Sequence, residues 1–69
     1  MTGATLAAIR RELCPGVAGA IEFGRALGYQ GTDESVGVCV RRLETMDRVP
    51  EWFAKLARHF RDNGKVVRL

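Results

Sequence analysis

Helix-breaking residues divide this chain into short segments, and this division limits its fold more than any other sequence feature. The breaks fall at Pro15-Gly16, at Gly28 and Gly31, at Pro50, and at Asn63-Gly64. Proline disfavours helical backbone in the residue before it, and glycine suits the left-handed turn that ends a helix. A chain of 69 residues supports a single hydrophobic core. The pattern therefore predicts one small all-α domain, a bundle of four to five helices.

Apolar residues at helical spacing place the helices between these breaks. The predicted helices cover residues 4–13, residues from near Val17 to Gly28, about 33–45, and 50–63. In the second, apolar residues cover most of the helix surface, which predicts a helix in the middle of the bundle, and a close helix crossing is expected at Gly24. These apolar residues are Val17, Ala20, Ile21, Phe23, Ala26 and Leu27. In the third, the apolar stripe Val36, Val40 and Leu43 predicts a buried face. The opposite face of that helix carries Val38, Arg41, Arg42 and Thr45.

The charge is unevenly distributed along the chain. The formal net charge is +3 and the pI is about 9.4. Residues 1–40 carry a net charge of −1, whereas residues 41–69 carry eight basic against four acidic residues, a net charge of +4. Nine of the eleven basic residues are arginine, whose planar guanidinium suits phosphates and guanine edges. A GC-rich coding sequence would also favour arginine, so this composition alone leaves both explanations open.

Several kinds of site have no counterpart in the sequence. Cys14 and Cys39 lie far apart without a CxxC motif, and the single histidine, His59, cannot complete a four-ligand zinc site with them. We therefore expect no metal, no cofactor and free thiols in a reducing cytoplasm. No apolar run approaches the roughly 18 residues that span a bilayer. Without a catalytic triad or a phosphate loop, neither an enzyme nor a small-molecule substrate is expected.

Four motifs together resemble the lambda repressor/Cro (XRE) helix-turn-helix family of phage and mobile-element regulators. They are Arg10 three residues before Leu13, the segment EFGRALG at 22–28, the segment VRRLE at 40–44, and the segment PEWFAKLA at 50–57. The resemblance covers about residues 6–60. It implies a lambda-repressor-like fold, a DNA-binding domain over residues 1–64, and a tail at 65–69 that is a candidate strand for dimerisation.

The same resemblance implies roles for particular residues. Arg10 and Glu44 would form an ion pair between the first and third helices, with a structural role. The third helix would enter the major groove, where Arg42 would contact guanine and Val38 a thymine methyl group. Arg41, Arg48 and Lys65 would hold phosphates. The full set of DNA-binding candidates is Gln30, Thr32, Ser35, Gly37, Val38, Arg41, Arg42 and Arg48.

The expected function is sequence-specific regulation of transcription, most simply as a repressor that binds double-stranded DNA as a homodimer. Candidate dimer residues are Trp52, Phe60 and Val66-Val67, although all of them fit a core equally well. The alternative is a protein-interaction module of the same fold, such as a small phage-encoded inhibitor, without DNA readout. Ala20, where the family often has glutamine, and the acidic pair Asp33-Glu34 favour this alternative. A simpler interpretation of the outward face is a solvated surface on which Arg41 or Arg42 pairs with Glu34, Glu44 or Thr45 at helical spacing.

Overall fold

Four helices make up most of residues 1–66, the part of the chain that the computed structural model describes. They are α1 (Gly3–Leu13), α2 (Gly19–Ala26), α3 (Asp33–Glu44) and α4 (Glu51–Asn63). No strand occurs within residues 1–66. The predicted all-α class is therefore confirmed, with four helices. In the predicted tail, Lys65 is exposed and Val66 packs against the core, while the remaining positions, 67–69, lie outside the described residues.

Threonine side chains begin two of the helices. Thr2 Oγ1 accepts a hydrogen bond from the backbone N–H of Thr5 at 3.2 Å, and Thr32 Oγ1 accepts one from Ser35 at 3.1 Å. These bonds satisfy backbone donors that the first turn of a helix leaves free. At the other end of α4, Gly64 adopts the left-handed conformation with φ of 72°. The predicted boundaries of α1, α3 and α4 are confirmed within one residue.

The predicted start of the second helix is wrong. Gly16 has φ of 99°, and the N–H of Gly19 bonds to the carbonyl of Gly16 at 3.1 Å, which closes a turn before α2 begins. Val17 lies in this turn, and its side chain is fully exposed instead of buried. No side chain caps α2. The apolar pattern therefore extended the helix two residues too far.

The core is built around Phe23 of α2 and Phe60 of α4, whose rings meet edge to face with centroids 6.1 Å apart. Phe60 is only 1% exposed, so it is a core residue and cannot form a dimer surface. Trp52 is 63% exposed at the start of α4. Other buried residues in the core include Leu6, Val36, Val40, Leu43 and Ala57.

The crossing of α2 and α3 depends on Gly24. A Cβ atom at this position would overlap the side chains of Val36 and Val40, both fully buried on α3. A glycine inside a helix costs about 1 kcal/mol relative to alanine. Here the missing side chain allows the two helices to approach, which confirms the predicted close crossing and fixes the position of α3 against the core.

Arg10 and Glu44 join α1 to the end of α3. Arg10 Nη2 donates to Glu44 Oε1 at 3.3 Å, and Arg10 Nε contacts Glu44 Oε2. Main-chain bonds strengthen the same side of the fold, because Gly3 donates to Met46 and Val49 donates to Met1, both at 2.8 Å. The structure thus brings together the ion pair expected from the sequence.

Candidate nucleic-acid interface

The outward face of α3 carries two neighbouring exposed arginines, Arg41 and Arg42. Val36, Val40 and Leu43 are buried beneath it, and this apolar stripe orients the helix. Side chains one turn apart on the other side therefore face water. Those exposed residues are Glu34, Val38, Arg41, Arg42 and Thr45, and Val38 is 41% exposed.

The arginines of this face are available for other partners. Arg10, Arg25, Arg58 and Arg61 each form an ion pair with a carboxylate. Within residues 1–66, no carboxylate lies at ion-pair distance from Arg41, Arg42 or Arg48.

Within residues 1–66, neither Arg41 nor Arg42 forms an ion pair with Glu34 or Glu44. Glu44 bonds to Arg10 instead.

The connection from α2 to α3 is held by Arg25, a residue that the sequence did not identify. Its Nη2 atom donates to the carbonyl of Gly31 and to Oδ1 of Asp33, each at 2.8 Å. Gly31 has φ of 117°, so the loop requires glycine there. The ion pair offsets the charge of Asp33 at the start of α3. Glu34, the next residue, has no ion-pair partner within residues 1–66.

The predicted DNA-binding residues differ in what they present. Val38, Arg41 and Arg42 share the outward face of α3. Gly37 is buried, and a Cβ atom there would lie 3.9 Å from Cγ1 of Ile21, so it contributes backbone and no side chain.

The other candidates lie at the ends of α3 or beyond them. Gln30 and Ser35 are exposed near its start, and the Thr32 hydroxyl accepts the capping bond. Arg48 is exposed in the connection to α4.

A groove of about 240 Å³ runs between the start of α2 and the outward face of α3. We call it the α2–α3 groove. Its lining is Val17, Ala20, Ile21, Asp33, Glu34, Gly37, Val38 and Arg41. Sequence reasoning did not identify Val17 and Ile21 as part of this surface. An apolar residue between Gly16 and Gly19 was the available signal, because the glycines place Val17 outside the helix.

The thiols are not arranged for metal binding. Cys14 is buried and Cys39 is half-buried, and both are free. Burial raises the pKa of the Cys14 thiol, as does nearby Glu22, while Arg10 acts in the opposite direction. Across residues 1–66, no group of three or more His, Cys, Asp or Glu side chains is placed to hold a metal ion. No helix in the same range has the length and hydropathy to span a membrane.

Comparison with protein-family models, with curated proteins and with solved structures finds no match to this chain.

Proposed function

We propose that this protein binds double-stranded DNA in a sequence-specific manner, with α3 in the major groove, and regulates transcription in the cytoplasm as a repressor. The observation that carries the proposal is the pair Arg41 and Arg42 on the outward face of α3. Both are exposed, and neither is paired with a carboxylate within residues 1–66. Guanidinium groups in this state can bond to guanine edges or to phosphates without first breaking an internal ion pair.

The support of α3 by the rest of the domain favours this proposal. Gly24 brings α2 against α3, and the Arg10–Glu44 pair holds the other end of the helix. A reading helix needs such support because side chains discriminate between bases only when their backbone is held in place. The family we infer is that of lambda repressor and Cro, on the four motifs quoted above and the helix-turn-helix order of α2 and α3.

Within this proposal the candidate residues have distinct tasks. Arg42 contacts guanine, Val38 contacts a thymine methyl group, and Arg41 and Arg48 hold phosphates. The Arg25–Asp33 ion pair reduces the repulsion between the start of α3 and the DNA backbone. A homodimer would place two such helices on an inverted repeat, with exposed Trp52 as the candidate dimer contact.

Selection of bound sequences from a random duplex library tests the proposal. We expect an enriched inverted repeat, and an affinity that falls steeply between about 50 and 200 mM salt as counterions return to the DNA. The unselected library is the control for non-specific binding. If no sequence is enriched, and the affinity for the unselected library does not change with salt concentration, sequence-specific DNA binding is excluded.

The second candidate is a protein-interaction module, and the α2–α3 groove favours it. Val17 is fully exposed there, and Glu34 lies at the edge of the groove without an ion-pair partner within residues 1–66. Apolar side chains beside a free acid suit a protein surface better than a phosphate backbone. Absence of any DNA affinity at low salt would favour this candidate over the first.

A further inference from the structure

We propose that the α2–α3 groove is the contact surface for a second copy of this chain. The two copies pair by two-fold symmetry, with their α3 helices antiparallel, and this pairing excludes DNA. The exclusion of DNA rests on the proposed function, whereas the pairing itself does not.

The charges of α3 are complementary to themselves when the helix is reversed. Glu34 and Arg41 both line the groove and are seven residues apart, which is about two helical turns. Neither forms an ion pair within residues 1–66. In an antiparallel pair, Glu34 of each copy faces Arg41 of the other. The two-fold axis therefore produces two identical ion pairs, as a self-complementary interface requires.

The antiparallel pairing that joins Glu34 to Arg41 also places a small residue, Gly37, opposite a larger one, Val38. Gly37 lies three residues after Glu34, and Val38 lies three residues before Arg41, so the two-fold axis passes between Gly37 and Val38. Val38 of each copy then meets Gly37 of the other. Around Gly37, a Cβ atom would find only Ile21 within 4 Å, so the groove has room for an apolar side chain there.

The apolar rim of the groove supplies further contact. Val17 is fully exposed and Ile21 is half-buried, and both lie beside Gly37 and Val38 in the lining of the groove. Pairing would remove these side chains from water. Because two helical turns form only a small interface, we expect weak association, with a Kd on the order of 0.1–1 mM.

Such a pair would cover part of the surface that the proposed function uses. Gly37, Val38 and Arg41 all line the groove, and all three are candidate DNA-binding residues. A duplex and a second copy cannot occupy the same face of α3 together. Self-association would therefore lower the concentration of the DNA-binding form once the protein reaches concentrations comparable with the expected Kd.

Charge reversal tests the pairing in the absence of DNA. E34R places arginine opposite Arg41 of the second copy, and R41E places glutamate opposite Glu34. We expect each variant alone to self-associate about tenfold or more weakly, because two attractions become two repulsions. An equimolar mixture of the two variants restores opposite charges at both contacts. We expect this mixture to associate at least as well as the wild-type protein.

Sedimentation equilibrium up to about 2 mM, where the expected association is measurable, gives the dissociation constants. The concentration dependence of amide NMR shifts identifies the contacting residues. The shifts should be largest on α3 and near Val17. Far-UV circular dichroism checks that each variant is folded, and the milder E34Q provides a second variant, with weakening smaller than that of E34R.

M46S is the matched control at an exposed apolar position that lies outside the α2–α3 groove. It leaves the α3 contact intact, so we expect unchanged association. A monomeric wild-type protein at 2 mM, loss of association in M46S, or a mixture that associates no better than its separate components would each overturn the pairing. If the pairing holds but the protein binds no DNA, only the proposed function and the exclusion of DNA fail.

Discussion

The Arg10 guanidinium bonds to both carboxylate oxygens of Glu44, and so joins α1 to the C-terminal end of α3. The two side chains are only 16% and 11% exposed. An ion pair in this position is shielded from water and salt more than a surface pair, and the loss of one partner therefore destabilises the fold more. Removal of either one leaves a half-buried charge without its partner.

We therefore expect Glu44→Ala to lower the free energy of unfolding by about 2–3 kcal/mol. The double variant R10A/E44A should lose less than the sum of the two single variants, because it leaves no unpaired charge. Urea denaturation followed by circular dichroism measures all three. The exposed pair of Glu51 and Arg58 is the control, and R58A should change stability by less than about 1 kcal/mol. Equal losses in E44A and R58A would contradict the structural role of the inner pair.

Two glycines within helices should respond to alanine with opposite signs. Gly24→Ala should destabilise the fold by about 1–3 kcal/mol, because its Cβ would overlap Val36 and Val40 at the crossing of α2 and α3. Gly37→Ala should stabilise it by up to about 1 kcal/mol, since the new methyl meets nothing closer than Ile21 at 3.9 Å. Thermal unfolding of both variants measures the difference. If both substitutions raise the melting temperature, the close crossing at Gly24 is wrong.

The arginines of α3 and its following loop should differ in their effects on DNA binding. Arg42→Ala should cost about 1–3 kcal/mol against the preferred base at one operator position and relax selectivity there. Arg41→Ala and Arg48→Ala should each weaken binding to all sequences and reduce the salt dependence by about one counterion. Competition binding against single-base operator variants separates the two behaviours. Lys55→Ala, on α4, is the control, and an equal effect in all four variants would mean that α3 is not the reading element.

The two cysteines should differ in reactivity. Burial, with Glu22 nearby, raises the pKa of the Cys14 thiol, whereas Cys39 is half-buried. We expect Cys39 to react with a disulfide reagent at least about tenfold faster than Cys14 at pH 8, because Cys14 is buried and its raised pKa disfavours the reactive thiolate. Mass spectrometry of the labelled protein identifies the modified residue. Modification of Cys14 first would contradict its burial.

The raised pKa of Cys14 also has a defined effect on stability. A thiol whose pKa is higher in the folded than in the unfolded state contributes stability below its unfolded pKa, and that contribution is lost as the pH rises through the folded pKa. Unfolding free energy should therefore fall as the pH rises through the raised pKa of the Cys14 thiol. Burial, with Cys39 nearby, raises the pKa of Tyr29 in the same direction. C14A and Y29F should each remove part of this decline, and a profile unchanged in both would contradict the prediction.

Local sequence signals predicted the helices well because breakers and caps act over a few residues. Thr32 begins α3 and Gly64 ends α4, each through hydrogen bonds to residues only a few positions away. Val17 was misplaced because its apolar character suits a helix, whereas the turn at Gly16 decides its position. Periodicity could not separate Trp52 from Phe60, since the apolar pattern of α4 includes both and packing buries only one.

The candidate site was partly accessible from the sequence. The outward face of α3 follows from the stripe of Val36, Val40 and Leu43, whose burial the structure confirms. The two hydrogen bonds of Arg25 could not be predicted from the sequence, because they depend on a loop conformation that brings Gly31 and Asp33 to one guanidinium. The α2–α3 groove was also missed, since it combines a turn residue with residues of two helices.

The position of Trp52 has a practical consequence for spectroscopy. It is the single tryptophan of the chain and is already 63% exposed in the folded protein. Its fluorescence emission should therefore shift little when the protein unfolds, and a denaturation curve recorded by emission alone would understate the transition. Quenching or a blue shift of the emission from the same indole would indicate that a molecule has bound at the beginning of α4.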